Sequence, residues 1–118
     1  MANILIVDDS TISRINLKKI LVAEGHKIVG EGSNGIDAVE KYSQLKPDIL
    51  TLDITMPEMN GIEALKIITS NDPSANVIMI SALNQNNKIL EALEIGAKNY
   101  IAKPYEPNQV LNAIKEIL

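Results

Sequence analysis

Residues 47–61 read Pro47-Asp48-Ile49-Leu50-Thr51-Leu52-Asp53-Ile54-Thr55-Met56-Pro57-Glu58-Met59-Asn60-Gly61. Ile49-Leu50-Thr51-Leu52 has the length and β-branched content of a buried strand. A carboxylate, Asp53, follows it directly. A loop containing Pro57 and Gly61 then leads into a helical pattern with Ile62, Leu65 and Ile68. The same grammar recurs outward from this stretch. Ile4-Leu5-Ile6-Val7 runs into Asp8-Asp9, Val77-Ile78-Met79-Ile80 into Ser81, and Asn99-Tyr100-Ile101-Ala102 into Lys103-Pro104. Helix-period segments separate the runs, so the strands are expected to be parallel, with their carboxyl ends along one edge of the sheet. Ligands of open α/β sheets sit outside those ends, where three carboxylates and one ammonium should converge.

Strands are predicted at about Asn3–Val7, Lys27–Glu31, Asp48–Asp53, Asn76–Ser81 and Asn99–Ala102. The first helix should run from Ser10 or Thr11 to Glu24, with Ile12, Ile15, Ile20 and Leu21 on one face and Gly25 as its stop. The second starts near Asn34-Gly35, carries Ile36, Val39, Tyr42 and Leu45, and halts before Pro47. The third is stopped by Asn71-Asp72-Pro73, and the fourth spans about Asn84–Ile95 up to Gly96. The fifth opens on Pro107 and carries Val110, Leu111, Ile114 and Ile117. Five βα units in 118 residues imply a doubly wound α/β fold, since a barrel needs eight units and about 200 or more residues. The expected architecture is a flavodoxin-like five-stranded parallel sheet, order 2-1-3-4-5, with five helices in one domain over residues 1–118. That order puts Asp8, Asp9 and Asp53 across the crevice between the first and third strands.

A net charge of −4 argues against a nucleic-acid surface, and the lysines are scattered as on solvated helix faces. The absence of cysteine excludes disulfide and thiol chemistry and fits a reducing compartment. No apolar run approaches the ~20 residues of a membrane span, so a cytoplasmic protein with no membrane contact is expected.

Two unit charges about 4 Å apart repel by about 4 kcal/mol at an effective dielectric near 20. Three clustered carboxylates must therefore raise a pKa or bind a cation, and an all-oxygen set with room for water suits Mg²⁺. Asp8 and Asp9 could instead simply cap the first helix, but two in tandem with a third on the neighbouring strand fit that role poorly. Lys103 can reach a phosphoryl oxygen as a point charge, and Lys103-Pro104 is a candidate cis peptide. Ser81 could donate to a phosphoryl group on Asp53 or cap the following helix. His26, alone after Gly25, is expected to be an exposed imidazole, and Tyr42, Met56 and Met59 to pack.

With these stretches assembled, the chain resembles the receiver domains of two-component response regulators, over its entire length. The matching stretches are Ile-Leu-Ile-Val-Asp8-Asp9-Ser, Pro-Asp-Ile-Leu-Thr-Leu-Asp53-Ile-Thr-Met-Pro-Glu-Met-Asn-Gly, Ile-Met-Ile-Ser81-Ala and Gly-Ala-Lys-Asn-Tyr100-Ile-Ala-Lys103-Pro104, and the run from Asp53 to Gly61 looks like the single-domain CheY-like group. The resemblance implies that Asp53 accepts a phosphoryl group from a phosphohistidine on a sensor histidine kinase. It implies that Asp9 and Asp53 ligate Mg²⁺ directly, Asp8 through water, and Thr55 through its backbone carbonyl. Lys103 would pair with the phosphoryl group, Ser81 would hydrogen-bond to it, and Tyr100 would be the switch aromatic that turns inward as Ser81 moves. Output would then come through a downstream effector protein, in chemotaxis the flagellar motor switch, from a monomer or weak dimer.

A phosphorelay intermediate feeding a histidine phosphotransfer protein is the alternative within the family. A flavin redox protein of this fold would need a phosphate loop where Asp8-Asp9-Ser10 stands, and aromatics that a chain without Trp or Phe lacks. An aspartyl-phosphate hydrolase would want an Asp at Thr55. The chain is therefore expected to be no enzyme beyond its own phosphorylation and slow dephosphorylation. Thr55 and the apolar Leu83 border the water's approach and should make the phosphorylated state long-lived.

Overall fold

A computed structural model describes residues 1–82 and 85–118. Five strands, β1 (Asn3–Val7), β2 (Lys27–Gly32), β3 (Ile49–Asp53), β4 (Val77–Ser81) and β5 (Asn99–Ala102), alternate with five helices. These are α1 (Thr11–Ala23), α2 (Gly35–Leu45), α3 (Gly61–Asn71), α4 (Asn86–Ile95) and α5 (Pro107–Ile117). All neighbouring strands pair in parallel, in the order β2-β1-β3-β4-β5. The predicted architecture is thus the observed one, with strand bounds displaced by a residue at most.

Alternation of side chains along each strand divides the core in two. Leu5, Val7, Leu50, Leu52, Val77 and Met79 pack with α2, α3 and α4. Ile4, Ile6, Ile49, Ile78, Ile80 and Ile101 pack with α1 and α5. Following that second register to the carboxyl ends gives Asp8 after Ile6 and Lys103 after Ile101, each just past its strand, and Asp53 after Thr51, the last residue of β3. The site residues are therefore the polar continuation of one apolar face at the carboxyl edge.

Local chemistry fixes where the helices begin. The Ser10 hydroxyl accepts from the Ser13 N–H at 3.2 Å, and Asn34 Oδ1 accepts from Asp37 at 2.8 Å. Asn60 and Glu63 form a reciprocal capping box at 2.9 and 3.2 Å. Each such cap contributes about 1 kcal/mol. Gly25 takes φ +88 beyond α1, the left-handed stop expected of it. The buried stripe of α1 differs from the expectation. Leu17 and Leu21 face the core, whereas Ile12 and Ile15 are 71% and 47% exposed. Ile12 and Ile15 lie in the first turns of α1, before the buried Leu17, so periodicity alone overextended the apolar face. His26 is half-buried rather than exposed, and its Nδ1 accepts from the Ala2 N–H at 3.1 Å. Tyr42 packs against the core and donates its hydroxyl to Asp72 at 2.7 Å, joining α2 to the end of α3.

Candidate functional site

The carboxyl edge between β1 and β3 gathers what the sequence placed there. Asp8, Asp9 and Asp53 each offer a carboxylate oxygen within 4.8 Å of the other two, a geometry able to hold a metal ion. Asp8 and Asp53 are buried and Asp9 is exposed, so the cluster has a wet side. The Lys103 Nζ donates to Asp8 Oδ2 at 2.9 Å and lies 3.8 Å from Asp53 Oδ2. Asp8 is no helix cap. Ser10 caps α1, and Asp8 Oδ1 instead accepts the Ser10 N–H at 2.9 Å, which turns the chain out of β1. The Lys103-Pro104 peptide is cis, as the sequence suggested.

Burial raises the Asp53 carboxyl from 3.8 to about 7, and the adjacent Asp8 charge adds to the rise while Lys103 opposes it. Burial also works against the Lys103 ammonium, but its hydrogen bond to Asp8 and the Asp53 and Asp8 charges outweigh that and hold it above its ordinary value. One lysine therefore leaves the three carboxylates short of positive charge. Oxygen donors with an open face and a charge deficit are what a hard divalent cation requires.

Ser81, on β4 beside β3, is fully buried, and its hydroxyl has no partner among the described residues. A buried hydroxyl without a partner costs free energy unless something else occupies it. Tyr100 lies outside this cluster, 47% exposed on β5. Ser81 pairs with Ala102 and Met79 with Tyr100, so strand alternation puts Ser81 and Tyr100 on the same face. Met56 is buried under the loop after β3 and Met59 packs against the core, as expected. The Leu83 side chain, expected beside the water's approach, lies outside the described residues.

Three residues near the site escaped the sequence reading. Arg14 donates to the Asp8 carbonyl at 2.6 Å and pairs with Glu31 at 3.4 Å, fixing the backbone under Asp8. Tyr105 packs against the α1–α5 cluster near Lys103, and burial raises its hydroxyl pKa. Gln85 reaches Thr55 across two loops at 2.8 Å. Only tertiary contact reveals these roles, and no spacing marks them.

A doubly wound parallel sheet with a triple-aspartate edge and a facing lysine defines the receiver class, and the comparisons agree. The profile of the response regulator receiver domain matches residues 4–115, and the chain belongs to that family. It is 49% identical to the chemotaxis protein CheY of Thermotoga maritima, over 97% of this chain and 95% of that protein. It is also 49% identical to CheY of Bacillus subtilis, over 98% and 96% of the two chains. A chain of the CheX–CheY–BeF3–Mg²⁺ complex from Borrelia burgdorferi superposes with a TM-score of 0.94 at 42% identity, covering 98% of this chain and 87% of that one.

Proposed function

We propose that the chain is a chemotaxis response regulator in which Asp53 accepts a phosphoryl group from a phosphohistidine of a sensor histidine kinase. The observation that carries this reading is the Asp53 carboxylate, clustered with Asp8 and Asp9 and 3.8 Å from the Lys103 ammonium. Full-length similarity to CheY proteins supports the pathway, and no observation favours the phosphorelay alternative.

Asp53 must be ionised to attack phosphorus, and its raised pKa shows what its surroundings demand in return. Asp8, Asp9 and Asp53 fit Mg²⁺ by donor type, with the Thr55 carbonyl proposed as a further ligand. Bound there, Mg²⁺ would supply the positive charge that lets all three stay ionised and that screens the phosphoryl oxygens. An Asp53 oxygen forms the new O–P bond as the P–N bond to the donor imidazole breaks. Lys103 meets the transferred oxygens as a point charge, and the Ser81 hydroxyl, without a partner among the described residues, is a donor in reserve for one of them. Positioning and charge neutralisation make up the catalysis, and because the phosphoryl group ends on the chain's own Asp53, the chain acts on itself rather than as an enzyme toward other substrates.

The phosphorylated form would bind a downstream protein, which in a chemotaxis pathway is the flagellar motor switch. Among the described residues no helix is long and apolar enough to cross a membrane, and the reading puts the protein in the cytoplasm as a monomer or weak dimer.

Intact mass after incubation with acetyl phosphate tests the proposal. The expected result is one phosphoryl adduct that requires Mg²⁺ and disappears in Asp53→Asn. An adduct of equal yield in Asp53→Asn, or none on the wild type, would overturn it.

A further inference from the structure

Helix α4 begins differently from the helices before it. Ser10, Asn34 and Asn60 each turn a side-chain oxygen back onto an N–H of their own first turn. Gln85 holds the equivalent position for α4 and makes no such bond among the described residues. Its carboxamide is used across the acceptor site instead. Oε1 accepts from the Ala82 N–H at 2.8 Å, and Nε2 donates to Thr55 Oγ1 at 2.8 Å. Ala82 follows Ser81, and Thr55 is the second residue after Asp53. One side chain thus ties the loop after β4 to the loop after β3 instead of turning back onto its own helix.

A phosphoryl group on Asp53 would bring three strong acceptor oxygens to this edge. Donors at the end of β4 then gain value, and the Ala82 N–H is already engaged by Gln85. Resting on the reading of Asp53 as acceptor, we propose that Gln85 is a positioning residue that latches the unphosphorylated site. It stabilises the resting arrangement through Ala82 and Thr55 and gives up Ala82 when Asp53 is phosphorylated. The freed carboxamide can then serve the first turn of α4, so the state of the acceptor is handed directly to that helix.

The test uses Gln85→Met, which keeps length and bulk but removes both hydrogen bonds, and Thr55→Val, which removes one. With Mg²⁺ present and acetyl phosphate subsaturating, both variants should form the adduct about three- to tenfold faster than wild type. Because they share one bridge, the double variant should be no faster than Gln85→Met alone. Hydrogen exchange of the Ala82 amide in the unphosphorylated protein should quicken in Gln85→Met, a readout that general destabilisation would spread over the whole chain. Decay of the adduct should stay within twofold of wild type in Gln85→Met, because the latch acts before transfer. An unchanged or slowed formation rate in Gln85→Met, or an altered decay, overturns the latch. Absence of any adduct on the wild type would sink the acceptor reading of Asp53 and the latch with it.

Discussion

Asp53, the proposed acceptor, illustrates the cost that a single buried carboxyl carries. Its carboxyl titrates at about 7 in the folded protein, against 3.8 ordinarily, because burial and then the Asp8 charge oppose ionisation. A group whose folded value lies above its unfolded value favours folding fully below the unfolded value. That contribution is lost as pH rises through the folded one. Metal-free protein should therefore lose stability from Asp53 between about pH 4 and pH 7, by about 4 kcal/mol once both states are ionised. Asp53→Asn removes the ionisation and should melt several degrees higher than wild type at pH 8 in EDTA, with the two curves converging toward pH 4. Parallel melting curves for the two proteins across that range would contradict the assignment of the raised pKa to Asp53. At this scale the sequence was legible wherever a charged residue directly followed an apolar run, as with Asp8, Asp53 and Lys103. Gln85 and Arg14 were not, because their partners are a side chain thirty residues away and a backbone carbonyl.

Elements hold those residues in place through close backbone approach as much as through apolar packing. Gly61 opens α3, and its N–H donates to the Ile54 carbonyl at 2.8 Å. A Cβ added there would fall well inside contact distance of the Asp53 carbonyl oxygen and 2.9 Å from Ile54 Cα. Neither atom is the movable end of a side chain, so Gly61→Ala must push α3 away from the end of β3. The expected cost is about 1–3 kcal/mol, accompanied by a severalfold weaker affinity for Mg²⁺ as Asp53 is displaced. Gly25→Ala provides the contrast, with open space around its Cβ and a strained φ of +88. It should cost about 1 kcal/mol and leave Mg²⁺ affinity unchanged. Thermal melts and Mg²⁺ titrations of the two variants check both statements, and equal metal affinity in the two would refute the first. Strand and helix positions were readable from periodicity because burial imposes it along the whole element, and the strand order followed from the doubly wound βα pattern. The exposed Ile12 and Ile15 show the limit, since a helix can extend its apolar spacing past the surface that covers it.

Over the whole molecule, the question is how an event at the carboxyl edge reaches a distant face. Ser81 and Tyr100 share the side of the sheet that α4 covers, and Tyr100 stands half outside it. If Ser81 moves toward a phosphoryl group on Asp53, space opens on that side and the inward position of Tyr100 gains population. The fold itself is unchanged, and only the balance of two arrangements shifts. Composition makes this measurable, because the chain has three tyrosines and neither tryptophan nor phenylalanine. Tyr42 and Tyr105 are both half-buried, which leaves Tyr100 as the exposed fluorophore. Acrylamide quenching of tyrosine emission should therefore fall when the wild type is phosphorylated with acetyl phosphate and Mg²⁺, and Tyr100→Ala should abolish the change without preventing the adduct. Ser81→Ala separates the two steps. Without the hydroxyl, residue 81 has no side-chain donor to offer the phosphoryl group, so the adduct should form while Tyr100 stays accessible to the quencher. A full loss of quenching in phosphorylated Ser81→Ala would show that Tyr100 answers to something other than Ser81. The link from acceptor to surface would then have to run through α4 itself, where Gln85 makes the connection.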